Sequence, residues 1–331
     1  MRHLLAIEDL DRHDVERIVE RTASFAEVGR RDIKKVPTLR GRTIVSLFYE
    51  SSTRTSSSFE LAAKRLSADV VSIKSAGSSV DKGESLKDTI ATLSAYAPEA
   101  IVIRHPYAGA AKLVTGWTSA AVVNAGDGKH EHPSQALLDT YTLLDRFSGL
   151  EGKRRDDLDG KRIWIVGDVL HSRVARSCAL CFRLMGAEVT ICGPPTLIPR
   201  EAADALGVEV SHSLDDLGVA DVVYALRMQR ERMGESFVPS IREYAAHYQI
   251  DSRRLGPRQL LMHPGPVNRG IELSPEVIDG PASLITAQVE SGLVVRMAIL
   301  YELLAGGEPR GSQAHAEEGD VPAPTPIGEP A

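Results

Sequence analysis

Apolar residues along the chain fall into short solid blocks separated by stretches with helical spacing. Residues 43–49 form one compact block. After it Phe59, Ala62, Ala63 and Leu66 recur at i, i+3, i+4 and i+7, which is one face of a helix. The same reading predicts strands at 69–74, 100–104 and 121–125. It predicts helices at 85–96 and 134–147, with a helical stretch at 109–118. Residues 149–160 are charged, carry no apolar cluster and mark a domain boundary. A second series follows, with strands at 162–166, 188–192, 221–226 and 259–262 and a helix at 173–185. A long helix at 288–304 carries a stripe of Val294, Met297, Ala298 and Tyr301. Strands separated by helices predict an α/β protein of two domains. Each is expected to be a parallel sheet flanked by helices, the two joined by long interdomain helices. The first spans 1–148 and is completed by the helix at about 288–306, and the second spans 149–287. Residues 311–331 are rich in Pro, Ala, Gly and Glu without periodicity and read as a disordered tail.

The composition narrows the functional classes. Of 331 residues, 43% are hydrophobic but only 5% aromatic, so aliphatic side chains must fill the core. The net charge is −6, which argues against broad nucleic-acid binding, because that needs a positive footprint. No apolar run reaches the ~18 residues of a membrane span. Acids appear too early for a secretory signal, and three cysteines cannot form a disulfide framework. The chain therefore reads as cytosolic.

The candidate chemistry lies where strands end. Glu50-Ser-Ser-Thr-Arg-Thr-Ser-Ser-Ser-Phe59 joins a strand to a helix. A helix N-terminus offers free N–H groups and partial positive charge. Ser52, Thr53 and Thr55 add hydroxyls and Arg54 a planar cationic fork, a set suited to phosphate. Ser and Thr are also ordinary helix caps, and no Gly-x-x-x-x-Gly-Lys loop is present. Arg104 ends another strand, and His132-Pro-Ser-Gln135 opens a helix after a third. Arg173, Arg227 and Gln229 follow strands of the second series, and His263-Pro-Gly-Pro266 is a rigid turn after another. Ligands of open α/β sheets sit at such carboxyl ends. The groups are donors without an obvious nucleophile, which suits stabilising an anion. The turn at 167–173 lacks Gly-x-Gly-x-x-Gly, and the strand ending at Cys192 has no following acid for a ribose, so NAD is rejected. Cys178 and Cys181 make a single C-x-x-C without further ligands. They are expected as buried side chains facing the sheet, with no metal and no cofactor.

Taken together, Ser52-Thr-Arg-Thr55 with Ser58-Phe-Glu60, followed by His132-Pro-x-Gln135, resemble the aspartate/ornithine carbamoyltransferases over nearly all of residues 1–306. Glu50, Arg227-x-Gln229-x-Glu231-Arg232 and the absence of cysteine from His263-Pro-Gly-Pro266 resemble the aspartate branch. Ser56 and Gly265 depart from it, standing where relatives carry a basic residue and Leu. The resemblance implies carbamoyl transfer from carbamoyl phosphate to the α-amine of L-aspartate, a reaction of de novo pyrimidine synthesis. It makes the first domain the carbamoyl-phosphate-binding domain and the second the aspartate-binding domain. Ser52, Thr53, Arg54 and Thr55 would hold the phosphate. Thr55, Arg104 and His132 would polarise the carbonyl, with Arg54 also catalytic. Gln135 would orient the carbamoyl amino group, helped by the backbone of Gly265 and Pro266. Arg173, Arg227 and Gln229 would hold aspartate, and Glu50 would pair with an arginine of the other domain. Ser78, Ser79 and Lys82 lie in a loop that reaches the neighbouring subunit's site in this family. Lys82 would thus complete that site, which implies a homotrimer with shared sites. Association with regulatory or dihydroorotase-like chains stays open. So do a transcarbamoylase for ornithine or another amine, and a non-catalytic anion-binding paralogue.

Overall fold

The structure, a computed structural model, describes residues 1–74, 83–229 and 237–306. It contains two sheets, both entirely parallel. The first is built from β1 (Thr43–Phe48), β2 (Asp69–Lys74), β3 (Ala100–His105) and β4 (Ala121–Asp127), in the order β2-β1-β3-β4. The second is built from β5 (Arg162–Val166), β6 (Glu188–Cys192), β7 (Glu209–Ser211), β8 (Val222–Ala225) and β9 (Leu260–Met262), in the order β7-β6-β5-β8-β9. In each sheet the strand order reverses direction once, between β1 and β3 and between β5 and β8. A reversal opens a crevice at the carboxyl edge, because the connecting helices leave toward opposite faces.

The central strands are solid apolar blocks because both of their faces are covered. Val45, Leu47, Ile101, Ile103 and Val122 pack on one face, beneath α3 (Leu86–Ser94) and α4 (Ala110–Thr115). Ile44, Val102 and Val123 point the other way, into a core that continues through Leu137 and Leu144 to Phe182, Ile163, Ile165 and Tyr224. That continuous core passes along α5 (Pro133–Glu151) and α6 (Arg173–Leu184), so one apolar interior ties both sheets together. α2 (Thr53–Arg65) and α10 (Ile285–Leu304) also belong to it. β2 and β7 are exposed along most of their length, as edge strands. No helix among the described residues is long and apolar enough to cross a membrane.

Several features depart from the sequence reading. α1 (Arg12–Gly29) was not anticipated, although Val15, Ile18, Val19, Thr22, Phe25 and Val28 form its buried face and Asp11 and Asp14 cap it reciprocally. α10 buries residues all round rather than one stripe. Val295, Arg296, Ile299 and Leu300 are as hidden as Met297 and Ala298, whereas Val294 and Tyr301 are only partly covered. Its neighbours α1, α2 and α5 enclose it from several sides. The charged segment 149–160 is not free of core residues: α5 runs into it as far as Glu151, and Leu158 is fully buried, its N–H donating to Met185 O at 2.8 Å. Cys178 and Cys181 are buried as expected; their sulfurs meet Asp139 and Thr140 of α5, and Cys178 also meets Tyr224 of the second sheet. The remaining elements, β7, α7 (Ala202–Leu206), α8 (Ile241–Tyr248) and α9 (Pro275–Ile278), are short and were not anticipated. Residues 311–331, expected as a disordered tail, lie outside the described residues.

The α1 cap gives a stability test. Asp11 Oδ1 accepts from Asp14 N at 2.7 Å. Asp11→Ala is expected to lower unfolding free energy by about 1 kcal/mol, while Asp11→Ser retains most of it. A shifted urea midpoint at constant slope for the first variant alone is the expected observation.

Candidate active site

The two reversal points face one cavity of about 640 Å³. Every predicted site residue among the described ones lines it: Ser52, Thr53, Arg54, Thr55, Arg104, His132, Gln135, Arg173, Arg227, Gln229, Gly265 and Pro266. Lys82, with Ser78 and Ser79, and Glu231 and Arg232 lie outside the described residues. A second cleft of about 790 Å³, flanked by Trp164, Arg183, Glu188 and Val210, contains none of the predicted groups.

The wall from the first sheet begins where β1 ends. Ser52 caps α2 in extended conformation, its hydroxyl accepting from Thr55 N at 3.3 Å. Helix geometry leaves the amides of Thr53 and Arg54 without an intrahelical acceptor. The first turn carries no acid, so the positive end of the helix is not neutralised locally. From the end of β3, Arg104 reaches Thr55 Oγ1 at 3.5 Å and Glu50 Oε2 at 3.4 Å. His132 caps α5 after β4, and its N–H donates to Ser177 Oγ at 2.8 Å. Burial, then the charges of Arg104, Arg173 and Arg296, hold its imidazole well below the usual histidine pKa. It is thus a neutral group with one donor and one acceptor nitrogen.

The opposite wall comes from the second sheet. Arg173 opens α6 after β5 and is almost wholly buried, donating to Glu50 Oε2 at 2.8 Å and to Gly128 O at 3.1 Å. Its place depends on Gly126, whose φ of +117° favours glycine and whose Cβ would lie 3.0 Å from Arg173 Nε. Arg227 and Gln229 follow β8. Gln229 N donates to Asp168 Oδ2 at 3.2 Å, and Asp168 also holds His171 Nδ1 at 2.8 Å, so the turn after β5 braces the loop after β8. Gly265 follows β9 with φ +65°, and a Cβ there would come within 3.1 Å of Arg54 Cζ. The glycine at this departure from the family thus lets the turn approach the Arg54 guanidinium.

Two contributors escaped the sequence reading. Arg296 lines the cavity from α10, fully buried over the Phe59 ring at 5.1 Å. Burial lowers its pKa to about 10, which leaves it charged at neutral pH. A lone cation in the apolar run Val294–Leu300 was the available signal. Asp139, one turn beyond Gln135 on α5, receives Gln135 Nε2 at 3.1 Å. It was hidden because an aspartate inside a helix ordinarily faces water. Among the described residues, five arginines and one carboxylate, Glu50, therefore face the cavity, although the chain as a whole is acidic. The Ser52 and Thr55 hydroxyls accept from Thr55 N and Arg104. The arrangement grips anions and stabilises developing negative charge rather than activating a nucleophile.

Comparison with known proteins agrees with this geometry. The family model described as aspartate/ornithine carbamoyltransferase, carbamoyl-P binding domain, matches residues 2–145. Its companion, the Asp/Orn binding domain, matches residues 159–303. The aspartate carbamoyltransferase catalytic subunit of Acidothermus cellulolyticus is 52% identical, covering 93% of this chain and 94% of that protein. The corresponding subunit of Salinispora arenicola is 53% identical, covering 92% and 99%. Among solved structures, the catalytic subunit of M. jannaschii aspartate transcarbamoylase superimposes with a TM-score of 0.79 at 34% identity, covering 93% of this chain and 100% of that one. The Trypanosoma cruzi aspartate transcarbamoylase in complex with carbamoyl phosphate and aspartate gives 0.80 at 30% identity, covering 92% and 97%.

The neutral state of His132 is open to direct test. Its depressed pKa moves protonation below pH 6.5, so the imidazole is expected to stay neutral at that pH. In the ligand-free protein, ¹⁵N spectra should show a neutral-tautomer signal at pH 6.5 that vanishes in His132→Asn. A His132 signal half-converted to imidazolium at that pH would contradict it.

Proposed function

The chain belongs to the aspartate/ornithine carbamoyltransferase family, and we propose that its cavity carries the carbamoyl group of carbamoyl phosphate to the α-amine of L-aspartate. The products are N-carbamoyl-L-aspartate and phosphate. The observation that carries this reading is the meeting of two cationic strand-end clusters, Arg54 with Arg104 and Arg173 with Arg227, on one cavity. One cluster suits the donor's phosphate, and the other suits the two carboxylates of the acceptor. Ornithine would bring a second ammonium into a cavity lined by five arginines, so the charge favours the dicarboxylate.

In the reaction, Ser52, Thr53, Arg54 and Thr55 hold the phosphate at the N-terminus of α2. Arg104, Thr55 and the donor nitrogen of neutral His132 polarise the carbonyl. Gln135 and the backbone of Gly265 and Pro266 orient the carbamoyl amine. Arg173, Arg227 and Gln229 fix aspartate with its amine facing the carbonyl carbon. The amine nitrogen attacks, negative charge collects on the carbonyl oxygen, and the bond from carbon to the bridging phosphate oxygen breaks. The departing phosphate takes the proton that the amine loses. Arg54 stabilises that departing charge. Residues 1–148 with the final helix act as the donor-binding domain, and 149–287 as the acceptor-binding domain.

The active form is a homotrimer in which Lys82 of one chain completes the site of the next. Support comes from an apolar groove of about 520 Å³ adjoining the cavity beside Thr53, Arg54 and Gly265. Leu61 and Val289 stand exposed on it in the isolated chain. A second copy seated there would cover the apolar wall and stand beside the site. The reaction is placed in the cytoplasm, in keeping with three buried cysteines that form no disulfide.

Incubation with carbamoyl phosphate and aspartate should release phosphate and carbamoylated product in equal amounts, with ornithine a poor acceptor. Absence of product with aspartate would overturn the reading. Arg54→Ala should lower kcat by roughly 10²–10³-fold without loss of fold. Arg227→Ala should raise the aspartate KM at least about 10-fold, equivalent to roughly 1.4 kcal/mol, while changing the carbamoyl phosphate KM little. Mixing Lys82→Ala and Arg54→Ala chains should recover activity that neither has alone. No recovery in verified mixed oligomers would mean self-contained sites.

A further inference from the structure

Behind the cavity wall lies a buried carboxylate for which the mechanism above has no use. Asp139 is fully buried on α5, one helical turn beyond Gln135. It receives Tyr224 Oη at 2.6 Å from β8 and Gln288 Nε2 at 2.7 Å from α10. Gln135 Nε2 lies 3.1 and 3.2 Å from its two oxygens, and Cys178 Sγ at 3.4 Å. Burial pushes the carboxyl up to about 6, against the pull of these donors, so at neutral pH it is ionised and offers acceptors only.

An acceptor-only group dictates which way its amide neighbours turn. Gln135 must point its NH₂ at Asp139, which leaves its carbonyl oxygen as the group presented to the cavity it lines. Gln288 provides an independent check on this polarity. Its Oε1 accepts from His263 N at 3.0 Å, and a backbone N–H can only donate. Its Nε2 must therefore face Asp139, as it does.

We propose that Asp139 is a positioning residue that sets donor specificity: by fixing the Gln135 amide with its oxygen toward the cavity, it makes the site select an acyl phosphate bearing N–H on the carbonyl carbon over the methyl isostere. The proposal rests on the reading of Gln135 as partner of the carbamoyl amine. A methyl group would leave the Gln135 oxygen desolvated and unpaired, a loss of roughly 10- to 100-fold in affinity. Without Asp139 the amide is free to turn its NH₂ inward, where it repels the carbamoyl amine but not a methyl group.

The test compares carbamoyl phosphate as substrate with acetyl phosphate as competitive inhibitor, the readout being the ratio of KM to Ki. Thermal melts check the fold of each variant. The wild-type protein should favour carbamoyl phosphate by at least about 10-fold. Gln135→Ala should abolish that preference. If it does not, the reading of Gln135 fails and the proposal fails with it. Asp139→Ala should abolish the preference while leaving acetyl phosphate affinity within about 3-fold, since the phosphate cradle is untouched. If Gln135→Ala loses the preference and folded Asp139→Ala keeps it, or if both ligands weaken equally in Asp139→Ala, the proposal alone is overturned. Should Asp139→Ala not fold, an isosteric charge swap decides. Gln135→Glu alone sets two carboxylates against each other and should weaken carbamoyl phosphate binding severely. Adding Asp139→Asn offers the new glutamate a donor and again leaves an oxygen facing the cavity. Recovery of the preference in the double variant supports the proposal, and no recovery overturns it.

Discussion

Gathering five guanidinium groups around one cavity is costly, because like charges in a partly dehydrated space repel strongly. The contact that makes the arrangement tolerable is Glu50, whose Oε2 lies 3.4 Å from Arg104 and 2.8 Å from Arg173. It is the only carboxylate on the described wall, and it joins a cation of the first sheet to one of the second. Full neutralisation would leave nothing to attract substrates, whereas a single shared anion holds the two halves in register and keeps the excess of positive charge. Around this compromise the rest of the site is made of neutral donors: hydroxyls, helix amides, an uncharged imidazole and an amide.

The backbone explains why these groups meet. Each sheet reverses its strand order once, and each reversal supplies a cationic pair, Arg54 with Arg104 and Arg173 with Arg227. The long helices α5 and α10 do more than connect. They carry His132, Gln135, Asp139, Gln288 and Arg296, so the continuous core beneath the sheets and the polar wall of the cavity are built from the same helices. A displacement of α5 or α10 would therefore be felt at the substrate atoms.

Much of this was legible in the sequence because parallel strands covered on both faces leave unbroken apolar blocks, and because polar clusters directly after them stand at the carboxyl edge. Ser52 to Thr55, Arg104 and His132 were found in this way. Elements recognised by one-sided periodicity fared worse where the surroundings were not one-sided. α10 is enclosed by three helices, so its stripe was misjudged, and Arg296 was lost among aliphatic neighbours. Asp139 is polar inside a helix, and nothing local distinguishes it from a solvated aspartate; only Tyr224 and Gln288, 85 and 149 residues away in the chain, reveal its burial. α1, with its Asp11 cap and regular apolar face, carries a one-sided signal as plain as that of α2.

The proton inventory of the cavity follows from its residues. Asp139 gains a proton only as the solution falls through about pH 6, and Arg296 gives one up only near pH 10. Burial and the neighbouring arginines hold His132 well below the usual histidine value, so it is neutral at neutral pH. Across the intervening plateau these three groups keep one fixed protonation state. A change of turnover with alkalinity there must arise outside these three, and the acceptor is one source, because its ammonium must shed a proton before its nitrogen lone pair can form the new bond.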